Sequence, residues 1–444
     1  MTEPDRSRPW WKRPRASLSL RSLMVVVLAL GGGLGWVAHR ARVQRLAVEA
    51  IKKAGGTVLY DWQFPGGKPP AIGGKPPVSP WPKPLVDALG PDYFDNVVGA
   101  SILRSPYTPK VGPIDEALMA QVGQLDHLRF LALADVPGSS LDDATLAHVG
   151  RLGGLKMLSI AGSKLTDDGL APLAGLRQLD NLKLIGTPIT DAGLAHLRGL
   201  TGITSLELRT NPGIHGPGLV YLKDMAGLKL LLLDATPIDD AGLAHLAGLR
   251  SLETLNMTGP GITDAGLIHL ADLTNLKMLR VSKGPITSTG LAHLEEMKNL
   301  ATLDLSSTRV DDLSPLTPLV KLERLILTQA PVQDAALAGL ANFPGLKHLS
   351  LDGTPITDEG LGQIAILRHL ETLNLSRTAI TDAGLDRLAP LAKCKTIQLL
   401  GTKVTPAGLA RLKAQLPTAT VIGPGSPGPP GFRLPASPTP APKP

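Results

Sequence analysis

The sequence is poor in cysteine and in aromatic residues. Cys394 is the only cysteine among 444 residues, and Phe, Trp and Tyr together make up 3% of the chain. An intrachain disulfide is therefore excluded, so packing must supply the stability of the fold. Because 43% of the residues are hydrophobic, the core must be built from Leu, Ile, Val and Ala, in an amount that suffices for a large folded body.

The sequence also lacks the short motifs of the common enzyme classes. It contains no G-x-S-x-G, H-E-x-x-H, P-loop or C-x-x-C motif. Catalysis needs unlike polar groups in one pocket, whereas the polar residues of this chain are spread along a repeat. We therefore expect no enzymatic activity, no catalytic residue and no cofactor.

Positive charge is confined to the N-terminus. The chain carries a net charge of +7, and residues 1–53 hold 11 Lys and Arg against three acidic residues. The remainder of the chain is therefore nearly neutral. A protein that neutralises nucleic-acid phosphates needs basic residues clustered on its folded domain, so we expect no nucleic-acid partner.

An uncharged run lies between basic flanks at residues 22–38. Its 17 residues would span roughly 25 Å as a helix, the short limit for crossing a membrane. We predict a basic cytoplasmic N-terminus over 1–21 and a transmembrane anchor over 22–39, which the positive-inside rule orients with the repeats outside the cytoplasmic membrane. A cleaved signal peptide, giving a secreted or periplasmic protein, is the alternative.

A pattern L-x-x-L-x-L recurs along most of the chain, with Ile, Val, Met or Cys as substitutes. Eleven steps separate its twelve copies, and eight of those steps are 24 residues long. Such regularity indicates a solenoid of stacked units. The copies start at Leu128, Leu155, Leu179, Ile203, Leu228, Leu252, Leu276, Leu300, Leu322, Leu346, Leu370 and Cys394. Cys394 stands in a leucine position, which predicts a buried small hydrophobic residue.

Each unit changes its hydrophobic period partway along. Leu182 and Leu184 alternate with Asn181, Lys183 and Ile185, which predicts a short strand with one buried face. Leu194, Leu197 and Leu200 then follow at helical spacing. Stacked units would bury a continuous core between parallel strands and helices, and the wider helices would place the strands on the concave side.

Two recurring polar residues could suggest a metal site. Five histidines share one slot of the repeat, namely His148, His196, His245, His269 and His293. Neighbouring slots lie about 8–10 Å apart, too far to share a zinc ion, so we predict exposed helix-surface histidines and no metal site. Six aspartates are predicted to cap the helix of their own repeat, namely Asp167, Asp191, Asp240, Asp264, Asp358 and Asp382.

The L-x-x-L-x-L units followed by T-x-I-T-D-x-G-L resemble the leucine-rich repeat family over residues 114–421. The 24-residue length is most similar to bacterial GALA-type repeats and to the ribonuclease-inhibitor-like and cysteine-containing classes. The resemblance implies an α/β fold, a curved solenoid with parallel strands on the concave face and helices on the convex face. The family's asparagine after the strand occurs only at Asn211, whereas other repeats carry Thr there, as at Thr187 and Thr236.

The flanking segments predict the remaining organisation of the chain. Residues 40–113 are expected to form an N-terminal cap that contains a Pro/Gly-rich linker over 65–84. The repeat domain covers 114–422 with about twelve repeats, and a disordered Pro-rich tail covers 423–444.

These patterns favour a membrane-anchored, non-enzymatic scaffold of a bacterial envelope whose concave face binds a protein or peptide. A substrate-recognition adaptor of the F-box type, which GALA-like repeats imply, and a purely structural envelope spacer are the alternatives. The oligomeric state is left open. The candidate binding residues flank the strand leucines on the concave face: Glu207, Arg209, Asp234, Asn256, Arg280, Asp304, Arg324, His348, Asp352 and Asn374. The three arginines are the expected anchors, because binding hot spots favour Arg.

Overall fold

The computed structural model describes residues 20–63, 79–103, 113–134 and 141–424. Within these ranges a single sheet contains fifteen strands, each paired with its neighbours in sequence. β1 runs antiparallel to β2, and all later pairs are parallel. The strands are β1 Thr57–Tyr60, β2 Val97–Ile102, β3 Phe130–Ala134, β4 Met157–Ala161, β5 Asn181–Ile185, β6 Ser205–Glu207, β7 Leu230–Leu233, β8 Thr254–Thr258, β9 Met278–Ser282, β10 Thr302–Asp304, β11 Arg324–Ile326, β12 His348–Ser350, β13 Thr372–Asn374, β14 Thr396–Gln398 and β15 Thr420–Ile422.

The convex layer differs from the predicted row of α-helices, because most repeats carry a short 3₁₀ helix. A 3₁₀ helix rises about 2.0 Å per residue instead of 1.5 Å, so few residues suffice to return the chain to the next strand. The α-helices are α1 Leu20–Lys53, α2 Lys83–Leu89, α3 Glu116–Val122, α4 Asp143–Ala147, α5 Asp240–Leu243, α6 Asp264–Leu267, α7 Leu361–Ile364 and α8 Pro406–Gln415. The 3₁₀ helices are Asp61–Gln63, Pro91–Tyr93, Val149–Arg151, Asp168–Gly175, Gly193–Leu197, Pro217–Leu222, Ala244–Leu246, Ile268–Leu270, Gly290–Leu294, Ser314–Leu316, Asp334–Asn342 and Leu385–Leu388.

The core is a continuous column of aliphatic side chains. The strand leucines pair in register from one repeat to the next, as in the row Leu255, Leu279 and Leu303, each of which has no exposed surface. Cys394 is 1% exposed in the leucine slot, and burial raises the pKa of its thiol to about 11. The predicted parallel solenoid and the predicted burial of Cys394 are therefore confirmed.

An aspartate ladder joins consecutive repeats on the convex side. Asp240 accepts the backbone N–H of Thr263 at 2.8 Å and its hydroxyl at 2.6 Å, and Thr263 belongs to the next repeat. All six predicted aspartates accept N–H groups of the following repeat, Asp191 from His215, Gly216 and Gly218 and the others from a threonine, so the prediction that each caps its own helix was wrong. The ladder consists of Asp143, Asp167, Asp191, Asp240, Asp264, Asp334, Asp358 and Asp382.

The ladder explains the glycine of the T-D-x-G motif. A Cβ added at Gly290 would lie 2.3 Å from Asp264 Oδ1, and one at Gly266 would lie 2.2 Å from Asp240 Oδ1. These distances are far below van der Waals contact, so the carboxylate and a side chain cannot occupy the same place. Where the ladder is uninterrupted, the glycine of one repeat therefore makes room for the aspartate of the preceding one.

Three repeats interrupt the ladder, and in one of them Ser288 stands in the aspartate slot and accepts the N–H groups of Asp311 and Asp312 of the next repeat. Gly216 occupies an aspartate slot, and Asp239 of the next repeat accepts instead from the N–H of Gly242 in its own repeat at 2.9 Å. In the repeat that starts at Leu300 and spans only 22 residues, Asp312 accepts the N–H and the hydroxyl of Ser314, and the following repeat carries Ala336 at the glycine position. Since the carboxylate of Asp312 bonds within its own repeat, the following repeat can carry a Cβ at Ala336.

Gly290→Ala is expected to lower the free energy of unfolding by about 2 kcal/mol, because the new Cβ displaces Asp264 from its two hydrogen bonds to Thr287. Chemical denaturation monitored by circular dichroism measures the change. Gly248→Ala is the matched control, since a Cβ there meets nothing within 4 Å. The double variant with Asp264→Ala should lose little more than Asp264→Ala alone, and full additivity would contradict the explanation.

The N-terminal end of the sheet is covered by the last turns of α1. Gln44 is 7% exposed, and its amide donates to Asp92 at 3.1 Å and to the carbonyl of Asp95 at 2.8 Å. Its oxygen accepts the N–H of Val97, the first residue of β2, at 3.1 Å. This single buried side chain therefore joins the helix, the loop before β2 and the strand.

The transmembrane anchor predicted over 22–39 receives no support from the structure. These residues belong to α1, and the described part of the chain contains no helix that is long and apolar enough to cross a membrane. The described residues exclude most of three predicted segments: the basic segment 1–21, the linker 65–84 and the tail 423–444. The predicted domain boundaries stay predictions.

Candidate functional site

The face of the sheet opposite the core presents two rows of side chains between β5 and β14. They alternate with the buried leucines, because successive residues of a strand point to opposite sides. The first row is Asn181, Ser205, Leu230, Thr254, Met278, Thr302, Arg324, His348, Thr372 and Thr396. The second row is Lys183, Glu207, Leu232, Asn256, Arg280, Asp304, Ile326, Ser350, Asn374 and Gln398.

The predicted binding residues occupy these rows or the turns that follow them. Arg324 and His348 lie in the first row. Five belong to the second row, namely Glu207, Asn256, Arg280, Asp304 and Asn374. Arg209, Asp234 and Asp352 follow the ends of β6, β7 and β12.

Most of the charged residues in this set neutralise one another. Glu207, whose side chain is 7% exposed, accepts from Lys183 at 2.6 Å and from Arg209 at 2.7 Å. Arg280 Nε donates to Asp304 at 2.8 Å, and its Nη1 lies 3.8 Å from Asp234. Two of the three expected anchors are therefore committed to neighbouring carboxylates. Sequence reasoning missed Lys183, although opposite charges one repeat apart in the same slot signal such a pair.

Asp352 is committed in the same manner. Arg377 Nε donates to Asp352 Oδ1 at 2.8 Å, and Nη2 donates to Oδ2 at 2.5 Å. Such a two-pronged contact fixes the carboxylate plane and leaves little capacity for a second partner.

A groove crosses the C-terminal part of the face over β11 to β14. It has a volume of about 400 Å³, and its polar and apolar walls come from both rows: Arg324, Ile326, His348, Ser350, Thr372, Asn374, Thr396 and Gln398. We name it the C-terminal groove. It brings together three predicted residues, Arg324, His348 and Asn374. The hydroxyl and amide residues between them were missed, because only charged or large side chains were selected from the alternating positions.

His348 lies next to Arg324 across the parallel register, and its Nδ1 is 2.8 Å from the hydroxyl of Thr372. Burial and the nearby charge of Arg324 lower the pKa of His348 below its ordinary value. The imidazole is therefore neutral at neutral pH, and it can donate and accept hydrogen bonds without adding charge to the groove.

Arg324→Gln is expected to raise the pKa of His348, because removal of a positive charge favours the protonated imidazole. Burial, the larger cause, remains, so the pKa should stay below 6.5. A pH titration of the imidazole NMR signal, identified by its loss in His348→Gln, measures the shift. Arg198→Gln, an exposed arginine outside the groove, is the control. A pKa that does not move would show that Arg324 exerts no field on His348.

The five recurring histidines are less exposed than predicted. All are partly buried, and the side chain of His148 is only 15% exposed, with Nε2 3.7 Å from Glu116. His148 is covered because α3 packs against α4 at this end of the stack. In the ranges that the structure describes, no three His, Cys, Asp or Glu side chains converge as metal ligands.

Comparisons with known proteins agree with the repeat pattern. The sequence profile described as "Leucine Rich repeat" matches residues 248–271, 346–365 and 367–389. Among curated proteins, none matches the sequence.

Solved structures resemble the fold at low sequence identity. An internalin of Listeria monocytogenes is 22% identical with a TM-score of 0.53, over 68% of this chain and 82% of its own. Internalin C2 from the same organism is 25% identical with a TM-score of 0.39, over 51% and 88%. The ectodomain of the Arabidopsis thaliana receptor kinase GASSHO1/SCHENGEN3, in complex with Casparian strip integrity factor 2, is 18% identical with a TM-score of 0.43, over 74% and 50%.

Only the first of these TM-scores exceeds 0.5, and its likeness concerns the fold alone. The repeat register, the sheet of fifteen mostly parallel strands and the matched segments nevertheless agree with one another. The chain therefore has the fold of a leucine-rich repeat solenoid.

Proposed function

We propose that this protein is a non-enzymatic scaffold whose concave face binds a protein or peptide. The C-terminal groove carries the proposal. It combines apolar wall, hydroxyl and amide groups and an exposed guanidinium on a rigid sheet, and pre-organised surfaces of this kind lose little conformational freedom on binding. The assignment to a GALA-type or ribonuclease-inhibitor-like class stays a prediction.

Site-specific photo-crosslinking of the full chain in its native cells tests this function. A photoreactive phenylalanine analogue at Ser350, inside the groove, is expected to yield one discrete adduct with another protein. The same analogue at Val320, which is 56% exposed and lies off the sheet face, is the control. Equal adducts from both positions, or none from Ser350, would leave the spacer role as the better interpretation.

We also propose that residues 22–39 attach the protein to the cytoplasmic membrane with the repeats outside. The uncharged run and its basic flanks support this proposal. Fractionation followed by protease treatment of intact spheroplasts tests it, and we expect sedimentation with membranes and digestion of the repeats from outside. Repeats protected from the protease would place them in the cytoplasm and favour the adaptor alternative. Recovery in the soluble periplasmic fraction would indicate a cleaved signal peptide.

A further inference from the structure

The charges on the two concave rows balance except at one position. The rows contain three cations, Lys183, Arg280 and Arg324, and two carboxylates, Glu207 and Asp304. Lys183 lies 2.6 Å from Glu207, and Arg280 lies 2.8 Å from Asp304. Arg324 is exposed and has no carboxylate within ion-pair distance among the described residues. It is therefore the one uncompensated charge of the rows.

This unpaired guanidinium lies at one end of the C-terminal groove. No carboxylate lines the groove, and His348, the neighbour of Arg324, is held neutral by its lowered pKa. The groove thus carries a net positive charge with no internal anion to oppose it. Arginine presents a planar fork that matches a carboxylate with two parallel hydrogen bonds.

The rest of the groove suits an extended chain. From β11 to β14 the groove crosses three strand spacings, about 14 Å, which is the length of roughly four extended residues. Beyond Arg324, each strand offers groups that can exchange hydrogen bonds with a peptide backbone: Ser350 on β12, Asn374 on β13, and Thr396 and Gln398 on β14. Ile326 supplies apolar contact beside the charge.

We propose that the C-terminal groove recognises an extended acidic segment of a partner protein, with an Asp or Glu side chain bound by Arg324. The inference rests on the proposed function, because it specifies the partner chemistry of the same face. A polyanion such as nucleic acid fits less well, since its affinity comes from many phosphate contacts and the groove offers one cation.

A random octapeptide library, displayed on phage and selected on the full-length protein, tests the proposal. Peptides retained by the natural protein are expected to be enriched in Asp and Glu. Arg324→Gln should remove this enrichment and weaken a selected peptide by roughly tenfold to a hundredfold, the range expected for a charge-assisted bidentate contact. Arg324→Glu should invert the preference towards Lys and Arg. Arg198→Gln removes an exposed arginine outside the groove and should behave as the natural protein.

The possible failures are distinguishable. Peptides that bind equally well to the natural protein and to both Arg324 variants would overturn acidic recognition, yet would leave peptide binding by the concave face intact. A selected peptide that gains affinity only when phosphorylated would assign Arg324 to phosphate instead of carboxylate. If the natural protein retains no peptide at all, although its thermal unfolding shows that it is folded, the result would count against both this inference and the proposed function.

Discussion

Leu279→Asp is expected to abolish cooperative folding of the repeats. Leu279 has no exposed surface and pairs in register with Leu255 and Leu303 in the middle of the sheet. Loss of a buried leucine costs about 2–5 kcal/mol, and an unpaired buried carboxylate adds several more. That sum is comparable to the whole stability of an ordinary domain. Far-UV circular dichroism and thermal unfolding measure the effect.

Met278→Asp provides the control, since Met278 precedes Leu279 on the same strand and points to the opposite face, 39% exposed. We expect a melting temperature close to that of the natural protein. Val421→Asp, on the edge strand β15, should fall between the two, because each repeat of a solenoid is stabilised by its neighbours and β15 has only one. Similar melting curves for Leu279→Asp and Met278→Asp would contradict the assigned register.

Asn211→Ala is expected to lower the free energy of unfolding by about 3 kcal/mol. Asn211 has no exposed surface, its oxygen accepts the N–H and the hydroxyl of Thr187, and its amide donates to the carbonyl of Leu184. Truncation leaves all three buried groups without their partner, which costs far more than the bonds themselves contribute.

Asn211→Thr should restore part of the loss. In the next repeat, Thr236 occupies the same slot and donates to the carbonyl of Leu208 at 2.7 Å, so a threonine can satisfy one of the three groups. Asn275→Ala, which removes only an exposed bond to the carbonyl of Arg250, is the surface control. Chemical denaturation that ranks Asn211→Thr no better than Asn211→Ala would contradict the expected rescue by a threonine hydroxyl.

Much of the fold could be predicted from the sequence because the signal repeats. The alternation around Leu182 and Leu184 predicts the strand that the structure contains at Asn181–Ile185. The 22-residue repeat contains a short 3₁₀ helix at Ser314–Leu316. Apolar residues at steps of three or four suit an α-helix and a 3₁₀ helix alike, so the type of helix could not be read from their spacing.

The aspartate ladder could not be predicted for a different reason. Many repeats contain both the Thr and the Asp, as at Thr263 and Asp264, so the pattern itself does not say whether the partners belong to one unit or to two. The turns after the strands pose a similar difficulty. Gly186 and Gly353 signal a left-handed backbone there, but Ala235 adopts a φ of 56° in the same turn without any sequence signal.

The candidate site was predicted only in part. Arg209, Arg280 and Arg324 looked equivalent as residue types, and only side-chain geometry separates the two paired arginines from the unpaired one. The residues that complete the groove, such as Thr396 and Gln398, are ordinary strand residues whose significance depends on the neighbours that the register brings beside them.

The two-sided nature of the ladder has a consequence for how such a chain can grow. A copy of a 24-residue unit inserted in frame within an uninterrupted run brings its own threonine, aspartate and glycine together, so it meets both neighbours without any further change. Gene duplication can therefore lengthen the array one unit at a time at no structural penalty. Next to Gly216 or Asp312, an inserted unit would leave hydrogen-bonding groups between repeats without partners. We therefore expect the repeats that carry these residues to stay unduplicated while the number of other repeats changes.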